Sequence, residues 1–313
     1  MKLRYISLLL LLPILLCLCS CGGHAAAVLE NAVIKSTAPD ALDEAAVTAS
    51  EETVTAPAPE EEEEEGPAEV SLAMTEDGEH PKLIAHAGGA VYGYRLTNSL
   101  DALNHSYEEG FRFIEVDLNK TSDGELVLIH DWDSVSQRML GRTGPCTLQE
   151  FQDCTVMAGM TLLTMADLLD WLADHPDCNI ITDIKYEDNC AMLEMLAEQA
   201  GDQISQFIPQ VFTYEEYDKI QEMGYDRVIL TMYHLYGKNM KTDELIQFAR
   251  DKAPWAVTIS ESRLNQALLT ALVDESVAVY AHTVNTVDAV DKWADYGLTG
   301  IYTDYFTPSH WLY

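Results

Sequence analysis

From Lys82 onward the chain alternates short apolar runs with amphipathic stretches. The runs suit strands and the stretches suit helices, since apolar side chains recur there at helical spacing. Strands are expected at Leu83–Ala85, Phe113–Leu118, Asn179–Lys185, Phe207–Phe212, Arg227–Met232, Trp255–Ser260, Val277–Thr283 and Gly300–Thr303. The intervening helices carry start and stop signals. Asn98-Ser99 precedes Leu100, Leu103 and Tyr107, and Gly110 closes that element. Thr164, with Asp167 three residues later, caps the stretch holding Leu168, Trp171 and Leu172, which stops before Pro176. Thr213 and Gly224 frame a later helix, and Asn285-Thr286 and Gly297 frame the last.

Successive strand–helix units ending on a strand and a short tail predict an α/β fold, a closed eight-stranded TIM-type (β/α)8 barrel. A doubly wound open sheet is the alternative, but no Gly-rich dinucleotide fingerprint follows the first strand. One apolar run breaks the repeat. Leu126–Ile129 follows the second strand after too few residues for a parallel crossover. Asp123-Gly124 in the gap is a turn signal, so 113–130 is expected to form a β-hairpin after strand two. Its second arm then carries His130 toward Glu115 and Asp117.

The N-terminal part has a different pattern. Lys2 and Arg4 precede an apolar run, Ile6 to Leu18, shorter than the ~20 residues needed to span a bilayer. This reads as an export signal. It ends in Leu18-Cys19-Ser20-Cys21-Gly22, which resembles a bacterial lipobox with Cys21 as the acylated residue. Residues 1–21 are therefore expected to be a lipoprotein signal, placing an exported, surface lipoprotein on the bacterial membrane. Residues 22–80, rich in Ala, Glu, Thr and Pro with an acidic run from Glu60 to Glu65, are expected to be a disordered linker. The barrel domain then spans 81–313. The net charge of −34 argues against a nucleic-acid partner, which requires a basic surface. Cys146, Cys154, Cys178 and Cys190 fit no zinc spacing and are expected to be ordinary thiols, although export leaves pairing open.

Candidate chemistry collects at the carboxyl ends of the strands, where such barrels place their active sites. Strand one ends in His86-Ala87-Gly88-Gly89, and Glu115 and Asp117 share one face of strand two. The hairpin ends in His130-Asp131, strand three in Asp183-Ile184-Lys185, and the last strand in Thr303-Asp304. Glu115, Asp117 and Asp183 at one mouth would repel one another unless a cation lay between them. An all-oxygen ligand set favours Mg²⁺ or Ca²⁺ over zinc. Two histidines beside such a cation suit phosphodiester cleavage, one taking a proton from the attacking oxygen and the other giving one to the leaving alkoxide. Lys185 is placed to stabilise charge on the phosphoryl oxygens.

The segment Leu83–Trp132, ending IEVDLNKTSDGELVLIHDW, resembles the glycerophosphodiester phosphodiesterase family. The closing stretch VYAHTVNTVDAVDKWADYGLTGIYTD is similar to that family's last strand, helix and strand. The resemblance implies His86 and His130 as the acid–base pair, Glu115, Asp117 and Asp183 as metal ligands, and Lys185 as a phosphate contact. It also places Asn98, His282 and Asn285 in the substrate pocket. Ala87 stands where the family usually has a phosphate-binding Arg, and Arg95 in the same loop is the expected substitute. His282 stands where a Trp is usual. The implied reaction releases glycerol 3-phosphate and an alcohol from a small-molecule, lipid or teichoic-type phosphodiester. The Asp-x-Lys pair is also similar to sphingomyelinase D-type phospholipases, which leaves a lipid-cleaving enzyme as an alternative. An inactive phosphate-binding surface protein is the other.

Overall fold

A computed structural model describes residues 78–184, 189–233, 235 and 241–309. The expected signal, Cys21, most of the expected linker and Lys185 lie outside these residues. The strand–helix repeat begins with β1 (Leu83–Ala85) and α1 (Leu100–Glu108), followed by β2 (Phe113–Lys120) and β3 (Leu126–Leu128). An insertion carries α2 (Ser134–Leu140) and α3 (Leu148–Gln152) before α4 (Met165–Asp174) and β4 (Asn179–Asp183). Regular alternation then resumes with α5 (Asn189–Ala200), β5 (Phe207–Val211), α6 (Tyr214–Glu222), β6 (Ile229–Thr231) and α7 (Thr242–Lys252). It finishes with β7 (Ala256–Ser260), α8 (Gln266–Val273), β8 (Val279–His282), α9 (Val287–Ala294) and β9 (Gly300–Thr303).

Side-chain caps start three helices where the sequence places them, while Thr286 before α9 makes no cap bond. The Ser99 hydroxyl accepts from the Ala102 N–H, and Thr164 and Thr213 each form a capping box with the acidic residue three positions on. Each box satisfies backbone N–H groups that a helix start leaves orphaned.

The parallel strands run in the order β1, β2, β4, β5, β6, β7, β8, β9, and β1 pairs with both β2 and β9. That double pairing closes an eight-stranded parallel barrel with helices between the strands, as the sequence predicts. β3 pairs antiparallel with β2, Leu118 opposite Leu128, which is the expected hairpin. At its turn the Gly124 N–H donates to the Thr121 carbonyl at 3.0 Å, with Gly124 at φ +94°.

Alternation along each strand sorts the side chains. Ile84, Phe113, Ile181, Ile208, Ile229, Ala256, Tyr280 and Tyr302 form one buried cluster inside the barrel. Their strand neighbours, such as Ile114, Ile180 and Val257, pack outward against helix residues including Leu168, Leu172 and Leu196. Each large apolar side chain buried this way stabilises the fold by about 1.5–3 kcal/mol. Aromatic rings close the amino-terminal end of the barrel. Trp255 stacks on Phe113 and on His80, and Tyr280 donates its hydroxyl to the Pro81 carbonyl at 2.9 Å. His80, counted with the linker from sequence, thus packs on the barrel floor. The opposite end is left for polar side chains.

The insertion between β3 and α4 has a small core of its own, built from Trp132, Val135, Met139, Phe151 and Met160 over Val127 and Ile129. Its helices are short, and the strand–helix pattern gives no sign of them. Cys146, Cys154, Cys178 and Cys190 are free thiols. Burial pushes the Cys178 thiol up to about 12, so it stays protonated. No helix of the described residues is long and apolar enough to cross a membrane.

Candidate active site

The carboxylates come together through strand register. Asp117 on β2 lies opposite Asp183 on β4, and Glu115 is two residues earlier on the same inward face. All three are buried, and one oxygen from each lies within 4.8 Å of the others. Three carboxylates this close in a poorly hydrated site repel strongly. An all-oxygen, triply anionic donor set fits a hard divalent cation and lacks the nitrogen or sulfur ligands that zinc sites use.

Two residues after β1 hold these carboxylates in place. The Ala87 N–H donates to Glu115 Oε2 at 2.7 Å. Asn98 grips Asp117 twice: its Nδ2 donates to Asp117 Oδ2 and its Oδ1 accepts from the Asp117 N–H, both at 2.9 Å. The loop between them needs unusual backbone. Ala87 and Asn98 have φ of +48° and +49°, a left-handed conformation costing roughly 1–2 kcal/mol for a non-glycine residue. At Gly89, with φ +86°, an added Cβ would overlap the Ser106 hydroxyl, so only glycine fits. Ala87 is itself fully buried.

Each histidine is backed by a carboxylate. A carboxylate only accepts, so the His86 Nδ1–H donates to Asp304 Oδ1 at 2.8 Å and the His130 Nδ1–H donates to Asp131 Oδ2 at 2.8 Å. This leaves Nε2 of both rings as the exchangeable position. Asp304 at the end of β9 also accepts from Asn285 Nδ2 at 2.8 Å, while Asn285 Oδ1 accepts from the Asp304 N–H and the Thr303 hydroxyl. Asp131 accepts from the Asp133 and Val135 N–H groups at the start of α2, tying His130 to the insertion.

These contacts shift the titrations. Burial pulls the His86 pKa down, but the Asp304 hydrogen bond and the charges of Glu115, Asp304 and Asp117 outweigh it and raise it to about 9. Burial also opposes ionisation of Asp131. The Val135 N–H, the His130 hydrogen bond and the Asp133 N–H overcome it and hold the carboxyl at about 2. Asp304 is lowered too, its burial offset chiefly by His86.

Three residues expected against substrate have other neighbours. Asn98 is fully buried, with both ends of its amide on Asp117. Asn285 spends its amide on Asp304 and Thr303. His282 lies inside the mouth, its Nδ1 3.2 Å from the Tyr233 hydroxyl and its ring edge-on to Tyr233. Arg95 is exposed at the mouth, 3.5 Å from Asp304 Oδ2, with its carbonyl accepting from the Arg138 guanidinium. Asp304 is the residue that sequence reading left without a role. The signal is a carboxylate closing the last strand, but its partner His86 lies at the other end of the domain's sequence, on the first strand.

A model of the glycerophosphoryl diester phosphodiesterase family matches residues 88–307. The Bacillus subtilis protein YhdW, by name a glycerophosphodiester phosphodiesterase, is 24% identical over 238 residues, covering 71% of this chain and 94% of its own. Among solved structures, a glycerophosphodiester phosphodiesterase of Thermotoga maritima gives a TM-score of 0.58 at 19% identity, covering 72% of this chain and 95% of that one. A phosphodiesterase of Oleispira antarctica, solved with the product sn-glycerol-3-phosphate, gives 0.59 at 18%, covering 72% and 93%. These structural likenesses establish the barrel fold.

Proposed function

The chain belongs to the glycerophosphoryl diester phosphodiesterase family, and on that premise we propose that it hydrolyses glycerophosphodiesters to glycerol 3-phosphate and an alcohol, using His86 and His130 as its acid–base pair. The observation that carries this reading is the placement of two carboxylate-backed imidazoles beside one buried carboxylate triad: His86 follows Ala85 of β1, and His130 follows Ile129, whose N–H donates to the Asp117 carbonyl at 3.1 Å.

Glu115, Asp117 and Asp183 would hold a divalent cation, Mg²⁺ or Ca²⁺. When bound, the cation supplies Lewis-acid stabilisation of the phosphoryl oxygens. The chain's own residues move the protons. The Asp304 carboxylate, hydrogen-bonded to His86 Nδ1, favours the protonated imidazole, which suits the donor of a proton to the leaving alkoxide. His130, oriented through Nδ1 by Asp131, then takes a proton from the attacking water at Nε2. Water adds to phosphorus, the P–O bond to the alcohol breaks, and the departing oxygen leaves with the His86 proton. Arg95 and Lys185 are the cations assigned to the phosphate. Arg95 supports that role from the mouth, where a guanidinium can bind two phosphate oxygens at once.

The test uses EDTA-stripped protein, glycerophosphocholine and enzymatic detection of glycerol 3-phosphate. Activity should be absent after stripping and return with MgCl₂ or CaCl₂; no product with either cation refutes the reading. We also infer that the chain is exported and lipid-anchored through Cys21, from the lipobox-like Leu18-Cys19-Ser20-Cys21. Cys21→Ser should move the protein from the membrane fraction to the soluble one, and unchanged partitioning contradicts the anchor.

A further inference from the structure

The last strand, Gly300-Ile301-Tyr302-Thr303, turns Tyr302 into the barrel, in register with Ile84 on β1. Most members of that interior layer are aliphatic or aromatic hydrocarbons. The other tyrosine there, Tyr280, has its hydroxyl bonded to the Pro81 carbonyl. Tyr302 is different. Its hydroxyl is fully buried and finds no hydrogen-bond partner among the described residues. A phenylalanine would fill the same space without leaving a buried polar group unmet, and such a group is costly to bury.

The position of Tyr302 indicates what the hydroxyl is for. Ile84, directly opposite Tyr302, and Phe113 and Ile181 belong to the same buried cluster, and the next inward residues on those three strands are His86, Glu115 and Asp183. Tyr302 therefore lies on the interior side of the carboxylates, within reach of the charges of Glu115 and Asp183. The rings of Tyr280 and His282 meet it edge-on at 6.0 and 6.2 Å, which fixes its orientation. Burial, and then the charges of Glu115 and Asp183, push its ionisation well above the ordinary tyrosine range. The phenol is thus a hydrogen donor at every working pH. It feels the carboxylates without bonding to either of them.

We propose that Tyr302 is a positioning residue for the cation site: its hydroxyl donates a hydrogen bond to a water that enters in the coordination shell of the divalent cation held by Glu115, Asp117 and Asp183. The proposal rests on the metal reading of the preceding section. It gives the buried hydroxyl a partner in the cation-loaded protein, an arrangement in which outer contacts tune the affinity of a metal.

Loss of the hydroxyl should therefore have opposite effects on the two states. Full-length wild type and Tyr302→Phe are stripped with EDTA and dialysed. Each is then titrated with CaCl₂ and, separately, MgCl₂, by calorimetry and by thermal melting. The expected result is an unchanged or raised Tm for stripped Tyr302→Phe, with cation affinity weakened about tenfold or more. Unchanged affinity overturns the proposal. A lowered Tm in the stripped variant also overturns it, because a permanent buried water would then already satisfy the hydroxyl. If wild type binds neither cation, the metal reading fails and the role of Tyr302 falls with it. Wild-type binding that the variant matches refutes the role of Tyr302 alone.

Discussion

Replacing Asp304 by Asn tests how the histidine that sequence identifies depends on the carboxylate that sequence passes over. The exchange is nearly isosteric, and Asn285 still has an oxygen to bond at position 304. What disappears is the charge 2.8 Å from His86 Nδ1. A hydrogen bond to a charged group contributes about 1.5–3 kcal/mol. At 1.36 kcal/mol per pKa unit, its loss should lower the His86 pKa by roughly one to two units from its value of about 9 in the metal-free protein. The neutral amide can also present its NH₂ to the ring, which favours the wrong tautomer. Acid–base catalysis by a positioned side chain contributes ~10²–10⁴-fold. A fall in kcat of about 10²-fold or more is thus expected for Asp304→Asn, with little change in KM. The assay pairs an NMR titration of His86 in EDTA with steady-state kinetics at saturating cation. A variant that keeps the wild-type His86 titration and near wild-type kcat would show that Asp304 is only a packing residue, and would refute the reasoning.

The same raised pKa has a consequence for stability. A group that binds its proton more tightly when folded stabilises the fold below its unfolded pKa and loses that contribution as pH rises through the folded value. For His86 the window runs from 6.5 to about 9, and the effect is at most about 3 kcal/mol. Urea unfolding in EDTA should show wild type losing stability across this window more steeply than Asp304→Asn; parallel profiles contradict the assignment. Asn98→Ala strips two hydrogen bonds from Asp117, which should cost about 2–4 kcal/mol and lower Tm by roughly 5–15 °C. It should also weaken cation binding about 10–100-fold. A raised KM with normal Tm and cation affinity would instead place Asn98 against substrate.

The fold was legible because its pattern is local. Period-two alternation fixes which face Glu115 and Asp117 occupy, and Thr164 with Asp167 marks a helix start without tertiary information. Asp123-Gly124 likewise announces the hairpin. Features that depend on long-range closure were not legible. Asp304 reaches His86 only because β9 pairs with β1, a contact set by closure of the ring. The resemblance implies Asn98 as a substrate residue, and nothing local in the sequence shows that its side chain turns inward onto Asp117, with φ at +49°. The insertion escaped notice because α2 and α3 are short and their apolar residues pack on one another, so no periodic stripe signals them. Tyr302 reads as one more aromatic in an apolar strand. Only the closed interior shows that its hydroxyl is buried within reach of the charges of Glu115 and Asp183.

On the proposed reading, two carboxylate-backed histidines perform the proton transfers of phosphodiester hydrolysis at this mouth. Its most direct test is the rate of glycerol 3-phosphate release from glycerophosphocholine by wild type, His86→Ala and His130→Ala, each with saturating divalent cation. Melting curves confirm that all three are folded. Turnover is expected from wild type and none from either variant. Turnover at the wild-type rate in both variants would contradict it.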